Sequence, residues 1–174
     1  MKILALCLSL VGIATQHQLF DQAPVIEEVN AKKSTWKAGH NHYFDNRSLE
    51  EIKGLMGTIL ETPEELKLQE KHIEPLKDIP ESFDSEKNWP KCESIKEIRD
   101  QSTCGSCWAF GAAEAMSDRI CIASGQKDQT RISAEDILSC CTSCGMGCNG
   151  GYPSAAWSYF NTKGVVTGDL FDDK

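Results

Sequence analysis

The stretch QSTCGSCWAF, residues 101–110, decides how the rest of the chain is read. A thiol attacks carbonyl carbon as the thiolate, and at an ordinary pKa of ~8.5 it is mostly protonated at neutral pH. The start of a helix offers the positive end of the macrodipole and unpaired backbone N–H groups, and both favour the anion. Cys107 is the one cysteine placed at an expected helix start, behind a tight Cys104-Gly105-Ser106 turn that leaves its sulfur accessible. Acyl transfer also needs donors for the oxyanion of the tetrahedral intermediate. The backbone N–H of Cys107 can supply one and the side-chain amide of Gln101 another, each such donor contributing ~2.7–4 kcal/mol. Taken alone, Gln101 reads as an ordinary surface glutamine; the neighbouring cysteine gives its amide a use.

Outward from this stretch, sulfur dominates the second half of the chain. Of nine cysteines, Cys7 lies in the leader and the other eight are Cys92, Cys104, Cys107, Cys121, Cys140, Cys141, Cys144 and Cys148. Clustered cysteines behind a secretory signal read as disulfides. The rival reading is zinc, because Cys104/Cys107 and Cys141/Cys144 have ligand spacing. That spacing is mostly an intracellular device, and no histidine lies in this half. A thioredoxin-like redox pair at Cys104 and Cys107 would want a preceding βαβ pattern, which is not found.

The leader itself is short. Lys2, an apolar run over residues 3–13, and the small Gly12 and Ala14 read as a signal peptide over residues 1–14. A membrane anchor is the alternative, but the run is too short to span ~30 Å of hydrocarbon. The predicted route is the secretory pathway, ending in a lysosome or outside the cell. A net charge of −8, with no basic stripe, argues against a nucleic-acid partner. The remaining composition, 40% hydrophobic and 25% charged, can bury a core, though a small one.

Three zones follow: the signal over residues 1–14, a pro-segment over 15–78 and a cysteine-rich part over 79–174. The middle zone has no cysteine and holds all four histidines, His17, His40, His42 and His72. Its border near Asp78 sets Pro75 and Pro80 among charges, an exposed and cleavable composition. A single domain whose cysteines happen to cluster is the blander alternative. Residues 49–60 carry apolar side chains at helical spacing, weakened by Gly54 and Gly57 into a short helix and a turn. Asn46-Arg47-Ser48 is a glycosylation acceptor triplet.

Three helices are predicted in the last zone. One begins at Ser106 or Cys107 and runs toward Ala123, alanine-rich and stopped by Gly125. A second opens at Ser133, with Asp136 reaching back to complete the cap, and continues to about Cys141. The third starts with Pro153, ends at Gly164, and turns Ala155, Ala156, Tyr159 and Phe160 inward. Between the last two lies a loop rich in glycine and cysteine.

At this point a resemblance is plain. C-G-[SA]-C-[WY] is the signature around the nucleophile of papain and the cathepsins, and this chain carries CGSCW. IRDQSTCGSCWAFGAAEAMSDRICI, SFDSEKNWPKC, SAEDILSCC and GCNGGYPSAAW resemble cathepsin B, while TWKAGHNHYF and LMGTIL are similar to its short pro-region. The likeness covers nearly all of residues 79–168. It implies an α+β, papain-like cysteine protease of which mainly the pro-segment and the α-helical left domain are present. It also implies Cys107 as nucleophile and Gln101 as oxyanion donor. Gly150 and Gly151 would pair with substrate backbone, as only glycine permits so close an approach, and Tyr152, Pro153 and Trp108 would line the groove. The implied disulfides are Cys92–Cys121, Cys104–Cys148 and Cys141–Cys144, leaving Cys140 for a partner further along the family's chain. The loop over residues 141–148 looks one residue shorter than in mammalian cathepsin B, which implies small differences at the pocket rim.

The implied partners are peptide and protein substrates and the chain's own pro-segment as an intramolecular inhibitor, with no nucleic acid, no membrane span, no metal and no organic cofactor. A cysteine protease needs an imidazole to form the ion pair and to protonate the leaving amine, and no histidine follows Cys107. The family's histidine and asparagine belong to its second half, so the sequence is expected to be truncated and inactive by itself. Two readings compete: a short binding or inhibitor-like product, and a disulfide scaffold that retains the family's residues.

Overall fold

The computed structural model describes residues 19–66, 74 and 78–168, in two units that divide after Ile52. The expected signal peptide, Cys7, His17, His72, Pro75 and the terminal run 169–174 lie outside the described residues.

The first unit is held by polar side chains that imitate backbone pairing. Helix α1 (Ala23–Ala31) has Pro24 in its first turn, where the missing N–H costs nothing. The Gln22 amide, almost buried, donates to Asn41 O at 3.0 Å and accepts from Asn41 N at 2.9 Å. Asn30 does the same for Ala38, at 3.0 and 2.9 Å. A 3-10 turn, His42–Phe44, follows, capped by Asn41 Oδ1. Phe20 N then meets Arg47 O at 2.8 Å, beside an antiparallel bridge between Leu19 and Ser48. Helix α2 (Leu49–Gly54) opens with a reciprocal cap. Ser48 Oγ accepts from Glu51 N at 3.2 Å while Glu51 Oε2 accepts from Ser48 N at 2.6 Å, which satisfies two orphan donors at once.

The short helix and turn expected over residues 49–60 are present, with α2 stopping at Gly54 and the turn at Leu55. From Leu55 the chain is no longer helical, and several of its polar backbone groups bond Gln101, Cys107 and Gly151 of the same second unit, described below. The short helices α3 (Pro63–Leu66) and α4 (Ser85–Asn88) follow, and a 3-10 turn spans Glu93–Lys96.

The second unit is built around α5 (Cys107–Ala123), with α6 (Ala134–Cys140) and α7 (Pro153–Lys163) packed on it. The alanines explain the arrangement. Ala109, Ala112 and Ala113 are buried on α5, so neighbouring helices approach closely, and Trp108, Met116, Ile137 and Ala156 fill the space between. All three helices begin and end within two residues of the expected positions. Gly125 at φ +66° lies just past the α5 cap, and Gly164 at φ +79° caps α7, a backbone region that glycine enters without steric cost. The α6 cap differs in one respect. Ser133 Oγ accepts from Asp136 N at 3.1 Å, but the Asp136 carboxylate accepts from Val166 N at 3.3 Å instead of reaching back. Chain closure claims it: residues 165–168 return against residues 131–133, with Ser133 N donating to Val166 O and Gly168 N to Arg131 O.

Beneath that return runs a buried polar network. Ser117 Oγ donates to Ala113 O at 2.7 Å and accepts from Ile132 N at 2.9 Å. Arg99, 3% exposed, reaches Ile132 O at 2.8 Å, Ser117 Oγ at 3.3 Å and Glu97 at 3.3 Å. Arg131 completes it with bonds to both Glu97 oxygens, the forked geometry that makes such pairs strong. Among the described residues the β structure consists of isolated bridges, and no helix is long and apolar enough to cross a membrane.

Candidate active site

Three disulfides take six of the second unit's sulfurs: Cys92–Cys121, Cys104–Cys148 and Cys141–Cys144. A zinc site cannot use Cys104 or the Cys141/Cys144 pair, because sulfur in a bridge offers no thiolate. Cys107 and Cys140 remain free. They differ in setting. Cys140 is exposed on α6, and a hydrogen bond with Asp136 pushes its thiol pKa up, aided by burial and the Glu135 charge. Cys107 is the first residue of α5 and half-buried, behind the turn whose Gly105 N donates to Cys148 O at 3.1 Å. The Cys104–Cys148 bridge and this hydrogen bond both tie the turn to Cys148.

What lies on the Cys107 sulfur is the segment after α2. Gly57 N donates to Cys107 Sγ at 3.2 Å, and Thr58 Oγ1 lies 3.2 Å from the same atom. The Gln101 side-chain amide donates to Leu55 O at 2.9 Å and to Cys104 O at 3.0 Å. One residue further, Gly151 N donates to Gly57 O at 2.8 Å and Ile59 N to Gly151 O at 2.9 Å. Residues 55–59 thus leave a turn at Leu55 and lie strand-like, with a single parallel bridge from Thr58 to Gly151, over a platform made of Cys107, Gln101 and Gly151. The groups facing the sulfur are an amide N–H and a hydroxyl.

Glycine is obligatory at each close approach. A Cβ on Gly57 would fall 1.7 Å from Gly105 O, and one on Gly150, at φ +111°, 2.9 Å from Gly57 O. On Gly151 it would meet the Trp108 ring at 2.5 Å. Trp108 itself is 1% exposed and donates from Nε1 to Gly147 O at 3.2 Å. The indole therefore stands behind Gly151 as its support, and under the strand it presents no face to the groove. Tyr152 caps α7, with its N–H on Cys144 O at 2.8 Å, and Pro153 opens the helix. Both are half-buried beside the platform.

Gln101, Cys107, Gly150 and Gly151 are thus brought together in one place. The reading of the sequence did not anticipate Leu55, Gly57 and Thr58 as their direct covering, nor the bond from Ser154 Oγ to Glu61 Oε2 at 2.5 Å that ties the strand's exit to α7. A signal was present. Gly57 breaks a helical pattern, and an isolated glycine in such a place marks close backbone approach as readily as weakness.

Comparison with known proteins agrees with this geometry. The papain family cysteine protease profile matches residues 79–171, and the peptidase family C1 propeptide profile matches residues 22–62. The chain is 52% identical over 156 residues to cathepsin B-like cysteine proteinase 6 of Caenorhabditis elegans, covering 87% of this chain and 41% of that one. It is 49% identical over 136 residues to a cathepsin B-like cysteine proteinase of Schistosoma japonicum, covering 76% and 39%. The chain therefore spans less than half the length of these relatives. Among solved structures, proCathepsin B S9 from Trypanosoma congolense superposes with a TM-score of 0.72 at 37% identity, covering 83% of this chain and 50% of that one. With a free thiol at the head of its central helix and a glycine-built strand laid over it, the chain belongs to the papain family of cysteine proteases, as a cathepsin B-like precursor that carries its propeptide.

Proposed function

We propose that the parent protein hydrolyses peptide bonds by thiolate acyl transfer, with Cys107 as nucleophile. The observation that carries this reading is a free, half-buried Cys107 Sγ that accepts from Gly57 N, in a segment that also bonds the Gln101 amide and the Gly151 backbone. In the reaction Cys107 Sγ attacks the substrate carbonyl carbon. Its oxygen becomes an oxyanion, held by the Gln101 side-chain amide and the Cys107 backbone N–H. Gly150 and Gly151 leave room for substrate backbone, with Tyr152 and Pro153 flanking it and Trp108 bracing Gly151. An imidazole protonates the leaving amine as the acyl-enzyme forms, and water then releases the acid.

No histidine follows Cys107, so in this reading the imidazole comes from a part of the fold beyond residue 174 and the 174 residues do not turn over peptide alone. The same reading assigns residues 1–14 to the signal and 15–78 to the pro-segment, and sends the protein through the secretory pathway to a lysosome or the outside. Residues 55–59 inhibit by occupying the groove: Leu55 O takes the Gln101 amide and Gly57 and Thr58 take the sulfur. Peptide and protein substrates would enter when that strand leaves.

The test is an extended chain that adds the relatives' second half, freed of residues 1–78 and assayed with peptide substrates and an electrophilic thiol probe. Turnover and labelling at Cys107 are expected, both lost in Cys107→Ser. Gln101→Ala should keep labelling measurable and reduce kcat by about 10²–10³. Turnover that survives Cys107→Ser would overturn the assignment.

A further inference from the structure

The first unit carries a convergent set of donors that the protease reading does not use. His42 Nδ1 lies 2.9 Å from Asp45 Oδ2, and His40 Nε2 lies 2.8 Å from Asp45 Oδ1. The three ligand atoms all fall within 4.8 Å of one another. We propose that His40, His42 and Asp45 bind a zinc-class divalent cation on the propeptide, through the two imidazole nitrogens and the carboxylate.

The local fold explains the convergence. Residues three apart eclipse each other in a 3-10 turn, and the turn His42–Phe44 sets His42 beside Asp45, whose N–H donates to His42 O at 3.1 Å. His40 approaches the same carboxylate from the preceding segment, with its ring packed edge-on against His42 at 4.9 Å. Ligands bound at about 2.0–2.1 Å around a tetrahedral ion sit roughly 3.3 Å apart. An ion entering there would part the two nitrogen–carboxylate contacts by about half an ångström, while the rest of the set, which already falls within 4.8 Å, would draw in toward that spacing. Nitrogen and oxygen donors of this kind suit zinc and its neighbours in the first transition row more than calcium or magnesium. Three protein ligands on a solvent-facing cluster leave the remaining position to water.

Outer support is present as well. Gln22 Nε2 lies 3.4 Å from Asp45 Oδ1 while the same side chain clamps both backbone groups of Asn41. Partners of this kind fix the orientation of a ligating carboxylate. A bound ion would replace two hydrogen bonds with a cross-link between residues 40, 42 and 45, and would stabilise the first unit by mass action.

The experiment titrates ZnCl2 into the full chain with Cys7→Ser, Cys107→Ser and Cys140→Ser, so that thiolates outside the three bridges do not compete. Calorimetry should give one tight site per chain, and zinc should shift the ¹⁵N resonances of His40 Nε2 and His42 Nδ1. His42→Ala, at a side chain 90% exposed and outside the packing, should weaken binding by more than the roughly 10–100-fold that loss of an outer partner costs. Asp45→Asn should do the same, with thermal unfolding confirming that the unit is intact. Replacing His17 and His72 by Gln should leave the titration unchanged. Binding that survives His42→Ala, zinc loading that moves neither imidazole nitrogen, or affinity no better than millimolar would each overturn the proposal.

Discussion

At the scale of single residues, the site depends on three missing side chains. Gly57, Gly105 and Gly151 let a strand, a turn and an indole meet at distances that a Cβ forbids. Gly57→Ala is the sharpest probe, because the clash is with backbone and no rotamer relieves it. The substitution should lift residues 55–59 off the platform and forfeit backbone hydrogen bonds that contribute ~0.5–1.5 kcal/mol each. Alkylation of Cys107 should accelerate by roughly tenfold, with little change in the core. Gly151→Ala strikes Trp108 and should instead destabilise the second unit by about 1–3 kcal/mol, seen as a lower midpoint in urea. CGSCW made Cys107 legible from sequence, since a thiol at a helix start behind a glycine turn has a chemical reason to be there. Gln101 was legible only through its neighbour. The engagement of its amide by Leu55 O was not, because a glutamine's type says nothing about which carbonyl, some 46 positions away, it will meet.

At the scale of elements, periodicity and end signals located α5, α6 and α7 well. Ser133, Pro153, Gly125 and Gly164 act within a turn of themselves, so their meaning is local. Ser133→Ala should cost about 1 kcal/mol, the ordinary loss of an N-cap, measured as a fall in Tm. The stretch 49–60 was less legible. Gly54 and Gly57 marked a short helix and a turn, and α2 does stop at Gly54, but nothing local showed where the chain goes next, with Met56 and Leu60 left 71% and 89% exposed. The decision is made by Gly151, whose backbone groups pair with Gly57 and Ile59. Tertiary pairing sets that path. The Asp136 carboxylate was misassigned for a non-local reason, since Val166 N arrives from beyond α7.

At the scale of the molecule, the small second unit is stabilised by cross-links as well as by its helical core. Cys92–Cys121 closes a loop with a separation of 29 residues, and such a constraint on the unfolded chain is worth about 3–4 kcal/mol. Cys92→Ser with Cys121→Ser should therefore lower unfolding stability by about 3 kcal/mol in urea, while leaving Cys107 free. The polar network adds a pH dependence. Arg131, bonded to both oxygens, holds the Glu97 carboxyl below its ordinary range, with Arg99 assisting. A carboxylate depressed in the folded state stabilises fully above its unfolded pKa of about 4.3, and that contribution is lost as pH falls below it. The Tm gap between wild type and Glu97→Gln should be largest near neutrality and close as the pH drops below about 4.

The central claim is that Cys107 is an unbridged thiol lying under the chain's own strand. Its most direct test is alkylation of the native chain followed by peptide mapping without reduction, in wild type and Gly57→Ala. Among the eight cysteines of the second half the account predicts label on Cys107 and Cys140 only, three intact bridges among the other six, and faster capture of Cys107 when Gly57 is replaced. Cys107 recovered in a disulfide, or labelled at a rate indifferent to Gly57, would contradict it.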